Sequence, residues 1–164
     1  MLGFAAWAGW RWVQFGLLFF ALTALRDVAA TWFLLTRRPD ISGHRFCTAD
    51  LLAYISCAMP LLYVPGPDHG KLFFFASNVL AISGFGLATT ALFELGVSFG
   101  ISPAYRGTVE SGVYRYTRHP MYTGYAIAEA SFILSNPYNI WIYAISMLLY
   151  RLRALSENSI LKQT

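Results

Sequence analysis

Charge is scarce in this chain. Asp, Glu, Lys and Arg make up 12% of its 164 residues, about half the ~25% of an ordinary soluble domain. Cysteine is nearly absent, with only Cys47 and Cys57. That excludes a disulfide-built secreted scaffold and leaves the two as small buried residues. The formal charge of +4 is too small and too scattered to point to nucleic acid. Asp50, His44 and His69 show no spacing to a second ligand, so no metal is expected. Internal repeats and low-complexity segments are absent, and no small-residue cleavage site ends a short apolar core, so no cleaved signal peptide is expected.

Apolar residues, by contrast, are abundant. They form 57% of the chain, the mean hydropathy is +0.49, and aromatics reach 17%, with five Trp and ten Tyr. This composition points to lipid as the solvent, with rings at the membrane interfaces. The length fits a single membrane domain over residues 1–164. The expected fold is all-α, a polytopic membrane bundle of about five helices. Apolar runs cover residues 12–35, 47–64, 72–95, 121–135 and 138–150, broken where charge, Gly and Pro collect. The last two are short and flank Asn136-Pro137, which reads as the turn of a helical hairpin.

Basic residues set an expected orientation. Arg37, Arg38, Arg45, Arg106, Arg115, Arg118, Arg151, Arg153 and Lys162 fall on one side, against Arg11 and Lys71 on the other. This places the N-terminus outside, and the loop 96–120 and the tail 151–164 in the cytosol.

The loop gathers Gly, Tyr and Arg and ends in Arg118-His119-Pro120 directly before an apolar run. Proline needs no donor in a first helical turn, so a helix is expected to start there. Its free N–H groups and the two basic side chains would favour a carboxylate or a phosphate, and an anchor to lipid phosphates fits the same residues. Within the runs, Glu129 lies about two turns beyond Tyr122. It is a candidate to position an amine or act as a base, and a packing role is equally open. Arg26 and Asp27 interrupt the first run. Adjacent helical residues do not face each other, so separate partners or a place at an interface are expected for them. Glu94 reads as interfacial.

Gly112, Tyr114, Arg115, Arg118, His119, Pro120, Tyr122 and Gly124 follow the pattern G-x-Y-R-x-x-R-H-P-x-Y-x-G. This resembles the signature of the integral-membrane methyltransferases, which include isoprenylcysteine carboxyl methyltransferases and phospholipid N-methyltransferases. The resemblance covers roughly residues 80 to 161. Arg153, Glu157 and Leu161 are similar to the family's R-x-x-x-E-E-x-x-L setting, with Asn158 in place of the second acid. Gly84-Phe85-Gly86 is similar to a G-x-G of phospholipid methyltransferases, although small residues also let membrane helices pack closely.

The resemblance implies S-adenosylmethionine as cofactor, with Tyr114, Arg118, His119, Pro120, Tyr122, Gly124, Glu157, Asn158, Gly84 and Gly86 around it. Arg118 and His119 would hold its carboxylate, Glu157 its hydroxyl or amino groups, and the Tyr rings, Tyr116 among them, its adenine or sulfonium. Glu129 and Arg153 are the candidate catalytic residues. A lipid or lipophilic acceptor would enter from the bilayer, with isoprenylcysteine carboxyl the nearest named class and a phospholipid amine the alternative. The departure at Asn158, with no further family helix after Thr164, implies weaker cofactor binding. It leaves a non-catalytic subunit of a membrane complex as another reading, and an NADPH-dependent membrane reductase as a third. The expected location is a bacterial inner membrane or the endoplasmic reticulum.

Overall fold

The computed structural model describes residues 2–16, 18–36, 48–66, 70–100 and 111–161. The basic residues Arg37, Arg38, Arg45, Arg106 and Lys162, with His44, Cys47 and His69, lie outside them. Among the described residues every regular element is a helix. There are six longer ones: α1 (Leu2–Phe15), α2 (Leu18–Thr36), α3 (Thr48–Ala58), α4 (Lys71–Leu95), α5 (Pro120–Ser135) and α6 (Ile140–Leu161).

The first apolar run is not one helix from residue 12 to 35. It divides at Gly16, which takes a φ of +63° and closes α1 with a hydrogen bond from its N–H to Trp12 O at 2.8 Å. A left-handed turn of this kind costs glycine little, whereas hydropathy is blind to it. Among the described residues two helices are long and apolar enough to cross a membrane, α2 with 19 residues and α4 with 25. The run 47–64 holds only the 11-residue α3 and a short 3₁₀ turn over Met59–Leu62. Nor is 151–164 a separate tail, because α6 runs unbroken to Leu161. No Pro or Gly stands in that stretch to end it.

Helices α4 and α5 form the centre of the bundle. They run antiparallel: Ser77 Oγ donates to Ser131 O, while Leu92 packs beside Met121. Their seam is made of small residues, Ala81, Gly84, Ala88 and Ala91 against Gly124 and Ala128. A Cβ on Gly84 would stand 2.3 Å from Ala128 N, and one on Gly124 would stand 2.6 Å from Ala88 N. Such approach lets backbones make the dispersion contacts that hold helices together where lipid removes the hydrophobic drive.

Below this seam lies an aromatic cluster. Phe19 and Phe20 of α2 meet Phe132 edge to face at 4.3 and 5.3 Å, and Tyr63 stacks on Phe132 at 4.8 Å. Asn139, fully buried, donates to Val64 O and Phe132 O and accepts from Val64 N–H. It thereby fixes the segment after α3 against the α5–α6 turn, which sits at Asn136-Pro137 as the sequence suggests. Large apolar side chains such as Trp32, Phe74, Phe75, Trp141, Ile145 and Leu148 are left on the outer faces.

The buried charges of α2 also differ from expectation. Arg26 and Asp27 do not find separate partners. Arg26 Nε and Nη2 both donate to Asp27 Oδ1, at 2.9 and 2.6 Å. The spacing rule holds for short side chains. A long arginine buried beside a carboxylate folds back on it, because an unpaired charge there would cost far more.

Candidate functional site

Segments far apart in the chain meet at one end of the bundle. α4 closes with Glu94, which accepts the Val113 N–H through both carboxylate oxygens, at 2.9 and 3.2 Å. Gly112 makes this possible. Its φ is +58°, and a Cβ there would fall 1.8 Å from Glu94 Oε1. Glu94 therefore pins the start of the Gly112–Gly124 segment rather than merely marking an interface. A 3₁₀ turn over Gly112–Arg115 follows, and then α5 starts at Pro120 in the position the sequence indicates.

α5 descends, the hairpin turns, and α6 returns with Arg153, Glu157 and Asn158. His119 meets both Glu157 and Asn158: Nδ1 lies 3.4 Å from Glu157 Oε2 and Nε2 lies 3.2 Å from Asn158 Oδ1. The Tyr122 hydroxyl donates to the other oxygen of Glu157 in a short hydrogen bond. The Tyr122 ring stacks on His119 and on Tyr150, each at 5.6 Å. Its other neighbour is Arg153, whose guanidinium carbon lies 5.1 Å from the ring centroid. Arg153 is anchored from α3, donating to Ser56 Oγ at 2.8 Å and to Cys57 Sγ at 3.7 Å. Cys57 itself is half-buried with a free thiol.

The electrostatics follow from these contacts. The hydrogen bond to Glu157 raises the His119 pKa above its ordinary 6.5, against burial, which opposes the charged ring. Arg118 is exposed, has no ion-pair partner among the described residues, and its charge also opposes protonation of His119. Burial, and after it the charge of Glu157, pushes the Tyr114 hydroxyl well above its usual range. The arrangement is a half-buried imidazole with a raised pKa beside an exposed arginine, edged by a carboxylate, an amide and stacked rings. It suits a ligand carrying both an anionic group and a flat or cationic one.

The remaining candidates divide. Pro120 is buried in the first turn of α5. Gly84 and Gly124 lie in the α4–α5 seam, where they are filled by backbone. Gly86 faces open space, so the two glycines of Gly84-Phe85-Gly86 do not share a surface. Tyr116 is 87% exposed and makes no part of the stack. Glu129 has a seat of its own, 2% exposed, accepting from Tyr63 at 2.9 Å and Tyr150 at 2.5 Å. Tyr150 joins that seat to the stack above.

Sequence reasoning missed Ser56, Tyr63 and Tyr150. Tyr150 had a signal, since it stands three and seven residues before Arg153 and Glu157, on one face of a helix. Tyr63 and Ser56 had none, because long-range packing alone brings them in.

Comparison with known families gives one match in these terms: the family model described as phospholipid methyltransferase matches residues 69–164. No curated protein and no solved structure matches the chain. The matched stretch contains α4, α5, α6 and the His119 constellation, and leaves α1, α2 and α3 outside.

Proposed function

The chain belongs to the phospholipid methyltransferase family and is a membrane methyltransferase, and from that premise we propose S-adenosylmethionine-dependent methyl transfer to a lipid acceptor at the His119 constellation. The observation that carries this reading is the convergence of two distant segments. His119 and Asn158 are 39 positions apart, and Tyr122 and Glu157 are 35 apart, yet each pair is in hydrogen-bond contact.

The residues present fit such a cofactor. Arg118 has its charge free of any ion pair among the described residues and offers its donors to a carboxylate, while His119, held by Glu157 and Asn158, adds positive charge beside it when protonated. Glu157 and Asn158 supply acceptors for amino or hydroxyl groups, and Tyr114 and Tyr122 supply ring faces. When bound, the cofactor supplies an electrophilic methyl group on a sulfonium. Arg153, fixed by Ser56 and Cys57, sets the Tyr122 ring against the stack. Glu129, reached through Tyr150, serves as the buried carboxylate that takes the acceptor's proton.

For the acceptor, the family description and the buried Glu129 favour a phospholipid amine, with the isoprenylcysteine-type carboxyl class as the second reading. In this reading the helices span the bilayer about five times, with the His119 end in the cytosol. The cofactor enters from water and the acceptor from the lipid. The test is a titration of the purified protein with S-adenosylmethionine and with NADPH, followed by methyl-transfer assays on ethanolamine lipid and on a prenylated cysteine acid. Binding of NADPH but not of S-adenosylmethionine would overturn the reading.

A further inference from the structure

Arg26 and Asp27 lie at the middle of α2, outside the stretch matched by the family model. The charges of the pair balance, but its hydrogen bonding is incomplete. Both nitrogens of Arg26 go to Oδ1 of Asp27, and Oδ2 is fully buried with no hydrogen-bond partner among the described residues. Asp27 is 1% exposed. A carboxylate oxygen left unpaired inside an apolar bundle is costly and marks a place where a donor belongs.

Its surroundings connect it to the site. The Arg26 guanidinium lies over the Tyr125 ring at 5.0 Å and near Phe85 at 5.8 Å. Tyr125 and Tyr150 have ring centroids 5.9 Å apart, and Tyr150 donates to Glu129. Ala30, one turn further along α2, packs in the cluster that holds Met121 of the signature segment. The pair is thus about one helical turn, ~5 Å, deeper in the bundle than that segment.

The charges around the pair are Arg26, Asp27 and Glu129, with Arg153 further off beyond Tyr125, and Arg26 is already engaged by Asp27. Among the described residues a second anion would meet only Arg26, held by Asp27, and Arg153, held by Ser56 and Cys57. An ammonium would meet the bare Oδ2 and the faces of tyrosine rings. We infer that Asp27, with Arg26 holding its other oxygen, is the seat for the protonated amine of the acceptor lipid as it arrives from the bilayer. This inference rests on the lipid-acceptor reading above and assigns a residue to the recognition of the head group. Arg26 orients the carboxylate, and the methyl-transfer chemistry stays with the groups around Tyr122.

Native mass spectrometry of the full chain in detergent tests this without requiring turnover. The probes are short-chain phosphatidylethanolamine and phosphatidylglycerol with the same acyl chains. The ethanolamine lipid is expected to bind about tenfold more tightly. Asp27→Asn keeps an oxygen for Arg26 but loses the charge, and should bring the two lipids within about twofold, with S-adenosylmethionine affinity unchanged. Equal binding of the two lipids by the unaltered protein, or a preference that survives Asp27→Asn, would overturn the assignment. If Asp27→Asn does not fold, Asp27→Glu, which moves the carboxylate by one methylene, should weaken only the ethanolamine lipid. An unchanged ratio in that variant would equally overturn it. An amine preference at Asp27 in a protein that binds no S-adenosylmethionine would uphold the seat and remove the cofactor reading.

Discussion

Nδ1 of His119 lies 3.4 Å from Oε2 of Glu157, an ion pair whenever the ring carries its second proton. Because that contact raises the His119 pKa, the stabilisation it brings is complete below the ordinary value of 6.5. It is lost as the pH climbs through the raised value. The thermal midpoint of the unaltered protein should therefore fall on that limb relative to His119→Gln. Asn158→Glu, which sets a second carboxylate at Nε2, should move the fall to higher pH and leave cofactor affinity unchanged or improved. Parallel midpoint curves for the unaltered protein and His119→Gln would show that the pair contributes nothing.

Arg118 is exposed and unpaired among the described residues, so its removal should leave the fold intact. Arg118→Ala is expected to lower S-adenosylmethionine affinity by roughly ten- to hundredfold, the worth of a charge-assisted contact at ~1.5–3 kcal/mol. Arg151→Ala removes an exposed charge from the same end of the bundle and should change affinity little. Isothermal titration of both variants decides the matter. Equal losses would mean that general positive charge, rather than a built site, attracts the ligand.

Gly84 and Gly86 should respond oppositely to alanine. At Gly84 the new Cβ would run into the backbone of Ala128 and Gly124, and the seam must open. A loss of ~1–3 kcal/mol is expected, as for other overpacked positions. At Gly86 the Cβ meets nothing, so Gly86→Ala should be neutral or gain up to ~1 kcal/mol from helix propensity. Unfolding in mixed micelles measures both. A loss of cofactor binding in Gly86→Ala at full stability would return this glycine to the site.

Glu129 accepts one hydroxyl on each oxygen. Glu129→Gln keeps one acceptor and turns the other towards a donor, leaving a buried tyrosine hydroxyl without its acceptor. Stability should drop by ~1–3 kcal/mol, and Tyr63→Phe in the same chain should recover part of it. A double-mutant cycle on Glu129 and Tyr63 reads the coupling; strict additivity would show that the two do not interact.

The helical class, the start of α5 at Pro120 and the turn at Asn136-Pro137 were legible in the sequence. Each depends on composition or on local backbone chemistry: a missing N–H at the first turn, or a turn-forming dipeptide between apolar runs. The family, too, was carried by a contiguous string, because the residues from Gly112 to Gly124 lie on one loop and one helix start. The break at Gly16 was not legible, since hydropathy counts side chains and a positive φ leaves no mark on them. Only tertiary structure paired His119 with Glu157 and Asn158, as the hairpin carries α6 back to where α5 began. It also separated Gly84, closed by the backbone of α5, from Gly86, which faces open space two residues away. Arg26 and Asp27 were decided the same way: sequence spacing sets where side chains leave a helix, but burial sets what a long, charged one must reach.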